Sequence, residues 1–99
     1  MLNKSEAAER LMVELDHRRA TSEPVIIVEN RTIEKAYGWV FFYESKKYMD
    51  TKIFRHRLAG NGPAIVNKLT GAIEFCGTSH PVQKSIEDYE RRLAGKAAQ

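Results

Sequence analysis

Cys76 and His80 are the two residues of this 99-residue chain whose types and spacing most resemble an enzyme site. They lie four positions apart, at the end of a predicted strand. A cysteine nucleophile needs a base within hydrogen-bond distance, and such sites also use a third residue that orients the base. No orienting residue accompanies this pair, and a lone cysteine on a strand is usually a small buried apolar residue. The sequence therefore predicts a protein that is not an enzyme.

Metal and phosphate sites are not indicated either. His17, His56 and His80 are scattered over a helix end, a connection and a helix start, without the spacing of metal ligands. The glycine-containing segment 60–63 precedes a strand, and its proline lacks the backbone N–H group that would donate a hydrogen bond to a phosphate. We therefore expect no metal and no cofactor.

The best candidate for a binding surface is the segment 46–57, which we call the basic segment. The chain has a formal net charge of +3, made up of 16 basic and 13 acidic side chains. Residues 1–50 carry eight basic and nine acidic side chains, whereas residues 51–99 carry eight and four. The predicted contact residues are Lys46, Lys47, Lys52, Arg55, His56 and Arg57.

Three interpretations of the basic segment remain open. Its cations can pair with carboxylates on an acidic protein, where arginine offers bidentate geometry. They can also contact phosphates while Tyr48 and Phe54 stack on bases, although a net charge of +3 is too weak to imply a nucleic-acid partner by itself. The third interpretation is a solvated connection without a partner.

The elements that position these residues begin with a helix from about Asn3 to Arg19. Asn3 and Glu6 have the spacing of a capping box. The apolar residues that follow recur at helical intervals. A β-branched run over 25–28 predicts a strand, with a turn or bulge at 30–31. The run 39–43 is apolar on both faces, which predicts a central strand.

The second half of the chain starts with a connection over 45–62 that has no clean period. Two short strands, 64–67 and 72–76, then form a predicted hairpin with Gly71 at its left-handed position. Apolar residues from Val82 to Leu93 follow at intervals of three and four, and predict a second helix that ends at Gly95.

This order predicts a single small α+β domain over residues 1–95 and a flexible tail over 96–99. We expect an antiparallel sheet of about four strands, with the N- and C-terminal helices packed on one face. Cys76 has no partner for an internal disulfide. The apolar runs are too short for a membrane helix. A cytoplasmic location without membrane contact is the default expectation.

Five stretches, taken in order, resemble the YrhB-like domain family, also called the immunity protein 35 family. These stretches are residues 37–44, 58–66, 70–73, 77–78 and 86–89. The resemblance implies an α+β domain and an immunity protein of a polymorphic-toxin system, which binds a cognate toxin without catalysis. The shared residues have the character of structural positions, namely Gly38, Trp39, Gly60, Asn61, Gly62, Pro63, Gly71 and Tyr89.

The chain departs from the family pattern directly after Tyr48. The family usually has an acidic-glycine turn there, whereas this chain has residues 49–52 without glycine, followed by further basic residues. This departure fits a partner-specific surface. We expect a protein that neutralises a toxin by steric occlusion through the basic segment or, failing that, through an open face of the sheet. The alternatives are a chaperone-like module that holds clients on apolar surface and a small nucleic-acid-binding module that uses the basic segment.

Overall fold

A computed structural model describes residues 1–18, 24–53 and 62–97 of the chain. Within these ranges the helices are α1 (Lys4–Arg18), α2 (Lys46–Thr51) and α3 (Val82–Ala97). The strands are β1 (Val25–Ile27), β2 (Ile33–Lys35), β3 (Gly38–Phe41), β4 (Tyr43–Ser45), β5 (Ala64–Asn67) and β6 (Ile73–Phe75).

Four of the strands form an antiparallel sheet in the order β2-β3-β5-β6, and β1 pairs with β4 in a separate antiparallel ribbon. The order of these four strands in the sheet is the same as their order along the chain. The prediction of an α+β domain with an antiparallel sheet of about four strands is therefore confirmed.

A one-turn 3-10 helix, Glu29–Arg31, separates β1 from β2. Five residues lie between Ile27 and Ile33, whereas two lie between the partners of these residues, Val40 and Tyr43. The first arm of this long hairpin thus holds three additional residues, which the 3-10 turn absorbs. The turn or bulge predicted at 30–31 is confirmed, and it separates the ribbon from the sheet.

The terminal helices pack on opposite faces of the sheet. On one face, Trp39 and Phe41 belong to the core cluster that contains Leu11 of α1. On the other face, Val40 packs in a second cluster with Ile86 of α3. The prediction that both helices cover one face is wrong. The physical reason is that β3 is apolar on both faces, and each face needs a helix to remove it from water.

The first helix begins with the predicted capping box. The Asn3 side chain accepts a hydrogen bond from the Glu6 N–H at 2.8 Å, and the Glu6 carboxylate accepts one from the Asn3 N–H at 3.0 Å. Ala7, Leu11 and Leu15 are its buried residues. A helix over about 3–19 is confirmed by α1, although Arg19 lies outside the described residues.

The β5–β6 hairpin is also confirmed. Gly71 has φ +73°, in the left-handed region that a side chain makes unfavourable. The side-chain oxygen Oδ1 of Asn67 accepts hydrogen bonds from the N–H groups of Leu69 at 2.9 Å and Thr70 at 3.1 Å. These two N–H groups lie in the turn and make no hydrogen bond within the sheet ladder. The Asn67 side chain therefore stabilises the hairpin turn.

The C-terminal helix does not end at Gly95, as predicted, but continues to Ala97. A Cβ atom added at Gly95 would have no neighbour within 4 Å. The glycine therefore lies in an open position of the last turn, where it weakens the helix by about 1 kcal/mol without ending it. Of the predicted tail over 96–99, residues 98–99 lie outside the described residues.

Candidate partner-binding surface

The basic segment begins with the helix α2, at a place where the sequence predicts an irregular connection. Ser45 is the N-cap of α2, and its hydroxyl accepts a hydrogen bond from the Tyr48 N–H at 3.2 Å. At the other end Lys52 adopts the left-handed conformation, φ +58°, and donates its N–H to the Tyr48 carbonyl at 2.7 Å. Both ends of this six-residue helix are thus capped. A short helix needs caps because most of its backbone N–H and C=O groups have no hydrogen-bond partner within the helix.

The three predicted contact lysines in the described part of the segment lie on this helix and its C-cap. The Lys46 ammonium is 2.9 Å from the Asp50 carboxylate, and Lys47 is exposed. The Lys52 ammonium lies 5.6 Å from the centre of the Tyr48 ring. The remaining three predicted residues, Arg55, His56 and Arg57, lie outside the described residues.

A buried base supports α2. Ser45 is 3% exposed and the neighbouring Glu44 9% exposed. The Glu44 carboxylate accepts a hydrogen bond from the Ser45 N–H at 2.9 Å, and the Lys46 N–H donates to the Pro24 carbonyl at 3.0 Å. The first turn of the helix is therefore fixed to the β1–β4 ribbon, so the lysines project from a rigid support.

A concave surface of about 280 Å³ lies between the 3-10 turn and the segment that leads into α3. Arg31, Phe42, Glu44 and His80 are among its lining residues. The Arg31 guanidinium lies 4.3 Å from the centre of the Phe42 ring, a cation–π contact. Arg31 and Glu44 are not among the contact residues predicted from the sequence. The available signal was Glu44 itself, a carboxylate that directly follows the apolar run 39–43.

The Cys76 and His80 pair does not have the features of a nucleophile site. Cys76 is half-buried and packs against the cluster around Val40 and Ile86. Burial raises the pKa of its thiol, which the neighbouring Glu74 raises further. A catalytic cysteine needs the opposite shift, since the thiolate is the reactive form. His80 is exposed in a bend before α3.

Within residues 1–18, 24–53 and 62–97, no group of three or more His, Cys, Asp or Glu side chains is placed to hold a metal ion. No helix in the same ranges has the length and apolar character needed to cross a membrane.

The residues predicted to be structural lie in buried or turn positions where the structure describes them. Gly38 begins β3, next to Trp39, which is 7% exposed. A Cβ atom added at Gly62 would lie 2.2 Å from the Cys76 carbonyl oxygen. Pro63, Gly71 and Tyr89 are buried, whereas Gly60 and Asn61 lie outside the described residues. That these positions maintain the fold stays a prediction, with which their burial and turn geometry agree in the described residues.

These features define a class of protein, a small α+β domain whose sheet is covered by a helix on each face. A short helix, α2, carries exposed lysines and is anchored at the buried residues Glu44 and Ser45. Comparison with known proteins places the chain more narrowly. The family model described as Immunity protein 35 matches residues 5–92, and the chain belongs to this family. It is also 35% identical over 71 residues to the "Uncharacterized protein YrhB" of Escherichia coli (strain K12), a match that spans 72% of this chain and 73% of that protein. No solved structure matches the chain.

Proposed function

We propose that this protein is an immunity protein that binds a cognate bacterial toxin of a polymorphic-toxin system and neutralises it by steric occlusion, without catalysis. The observation that carries the proposal is the family match, which covers residues 5–92 and so includes every strand of the sheet and most of both long helices. The raised thiol pKa of Cys76 supports a role without catalysis.

We also propose that the basic segment contributes to the toxin contact. Lys47 and Lys52 are exposed on a short helix that is capped at both ends. A surface of this kind loses little backbone freedom on binding, because its support is already ordered. Acidic groups on the toxin would complement the lysines and accelerate association at low salt.

The first experiment tests the function. The reading frames beside the gene are searched for a toxin, and the toxin domain is expressed in bacteria with and without this protein. We expect the protein to restore growth and to co-purify with the toxin. Cys76→Ala and His80→Ala should protect as well as the unchanged protein. A toxin that kills equally in its presence would contradict the proposal.

The second experiment tests the surface. Lys47→Glu with Lys52→Glu, and separately Arg55→Glu with Arg57→Glu, should each weaken the purified complex by about tenfold or more, chiefly through slower association at low salt. Lys84→Glu is the control, because Lys84 is an exposed helical lysine on α3, 3.0 Å from Asp88. Unchanged affinity in both double variants would exclude the basic segment as the contact.

The same protein preparation distinguishes the alternative functions. A nucleic-acid-binding module would bind oligonucleotides with an affinity that falls steeply with salt, through release of counterions. A chaperone-like module would protect unrelated aggregating proteins, whereas an immunity protein should be selective for its toxin. Binding to oligonucleotides or broad protection, without rescue from the toxin, would replace the proposed function.

A further inference from the structure

β6 lies at an edge of the four-stranded sheet, and its hydrogen bonds to β5 fix the direction of its backbone groups. The Cys76 N–H donates to the Pro63 carbonyl at 2.8 Å, beside the registered pairs of the two strands. Hydrogen-bonded pairs alternate along an antiparallel ladder. The N–H and C=O groups of Ile73 and Phe75 therefore point away from β5, toward the side of β6 on which no strand of the described residues lies.

Among the described residues, no hydrogen bond is made to these outward groups of Ile73 and Phe75. An edge strand with unpaired backbone groups is a template for another strand, and proteins often protect such edges with charged side chains. The charged residue of β6 does not serve this purpose here. The Glu74 carboxylate pairs with Arg92 of α3, on one face of the sheet.

A concave surface flanks this edge on each face of the sheet. On the α1 side it measures about 810 Å³ and is lined by Ile73, Val13 and neighbouring residues of α1. On the α3 side it measures about 520 Å³ and is lined by Ala72, Leu93 and others. Side chains of a strand point alternately to the two faces. A strand added to β6 would thus place successive side chains over one concave surface and then the other.

The charges on the α1 side indicate which strand fits. Three carboxylates line that surface beside Ile73, from Glu6, Glu9 and Glu14, together with the cation of Arg10. A second cation, Arg18, lies farther along the strand, 4.0 Å from the centre of the Phe75 ring. Val13 lies among them and is 57% exposed. Lysine or arginine side chains have an apolar stem and a cationic end, so they complement this mixture of carboxylates and apolar surface.

A second copy of this chain is a poor occupant for the same reason. Two β6 strands paired antiparallel about a two-fold axis would bring both α1 helices to the same face of the joined sheet. The carboxylates of Glu9 and Glu14 would then approach their own copies, and like charges in such positions repel.

We propose that the β6 edge binds an extended, lysine- or arginine-bearing segment of the partner protein as an added strand. The proposal rests on the proposed function only where it identifies that partner as the toxin. Up to four backbone hydrogen bonds, made by Ile73 and Phe75, supply affinity, and the carboxylates beside α1 select a partner strand that carries lysine or arginine.

The test uses the full chain labelled with nitrogen-15 and two capped peptides of about seven residues, one alternating Lys with Val and one alternating Glu with Val. The Lys peptide should shift the amide signals of Ile73 and Phe75, slow their hydrogen exchange, and bind about tenfold more tightly than the Glu peptide. Equal binding of both peptides, or shifts confined to other residues, would overturn the proposal. Concentration-dependent dimerisation through β6 without peptide would overturn it in favour of a second copy.

Two sets of variants separate the edge from simple packing. Ile73→Pro removes the outward N–H. Ile73→Ala removes a similar part of the side chain but keeps that N–H. The proline variant should therefore bind the peptide about fivefold more weakly than the alanine variant does. Glu9→Lys with Glu14→Lys leaves the edge intact and should reverse the peptide preference. This charge-reversed pair decides the question if the proline variant does not fold.

The toxin itself distinguishes failure of this inference from failure of the proposed function. If Ile73→Pro folds and still restores growth and complex affinity to the level of Ile73→Ala, the edge is not the toxin contact, and the immunity function stands. If the unchanged protein gives no protection, the immunity function fails, while peptide binding at β6 continues to report on the edge alone.

Discussion

Gly38→Ala is a substitution for which the structure predicts a large loss of stability. Gly38 is buried, begins β3 and has φ +153°. A Cβ atom at this position would lie 1.9 Å from the Val66 carbonyl oxygen and 3.0 Å from its carbon. Both of these atoms belong to the β5 backbone, which pairs with β3 across the centre of the sheet. No side-chain rotation can relieve the contact, so one of the two central strands must move.

The size of the effect follows from two contributions. A side chain at a backbone conformation normally restricted to glycine costs about 1–3 kcal/mol. Moving a packed strand by about 1 Å to restore an ordinary contact costs about 1–3 kcal/mol, as overpacking of a core does. We therefore expect Gly38→Ala to lower the free energy of unfolding by about 2–6 kcal/mol, a large part of the about 5–15 kcal/mol typical of a domain.

Urea unfolding followed by tryptophan fluorescence measures this loss directly, because the chain has one tryptophan and Trp39 adjoins the substituted residue. The thermal midpoint should fall by about 4–8 °C for each kcal/mol lost. Gly95→Ala is the matched control, since a Cβ atom there has no neighbour within 4 Å and should stabilise the helix by about 0.5–1 kcal/mol. A loss below about 1 kcal/mol for Gly38→Ala would refute the reasoning from backbone contact.

The remaining predictions concern a turn, a cap and a tyrosine. Gly71→Ala should cost only about 1–2 kcal/mol in urea unfolding, because the Cβ atom meets the flexible end of Arg10 at 2.6 Å and the main penalty is φ +73°. Ser45→Ala should cost about 1–2 kcal/mol through loss of the α2 cap, and Ser45→Asn should retain more stability than alanine if capping is the cause. Burial, followed by the hydrogen bond donated to Glu90, raises the pKa of Tyr37 above its ordinary value of 10.0. The unfolded chain therefore loses this proton first, so the stabilising contribution is complete below about pH 10 and declines above it. Unfolding at about pH 9 and pH 11 should show a shallower decline in Tyr37→Phe, and an identical decline would contradict this assignment.

Elements with local signals could be predicted from the sequence. The capping box of Asn3 and Glu6 begins α1, and Gly71 turns the β5–β6 hairpin, because each effect depends on residues three or four positions apart. The interruption near residue 30 was also visible, since polar residues divide an otherwise β-branched region. These features require no knowledge of what packs against them.

The two main errors concern features without a local signal. Helix α2 has six residues, and its C-cap Lys52 has a conformation that glycine usually adopts. Neither periodicity nor a glycine therefore marks this helix in the sequence. The face chosen by each terminal helix is set by long-range packing. Both helices carry a similar apolar stripe and both faces of β3 are apolar, so the sequence pattern is compatible with either arrangement. The contact of Leu11 with one face and of Ile86 with the other decides the matter.

The arrangement of the helices changes where a partner can bind. An open face of the sheet was the expected alternative contact, but in the described residues α1 and α3 cover the two faces of β3 and β5. We therefore propose that the contact uses helix surfaces, loops or a sheet edge. The lysines of α2 and the carboxylates beside β6 have opposite charge, so one partner that used both would need an acidic patch and a basic extended segment. Combining Lys47→Glu and Lys52→Glu with Ile73→Pro tests this directly. Losses of binding free energy that add indicate one partner contacting two independent surfaces, whereas a loss confined to one set identifies the surface that the partner uses.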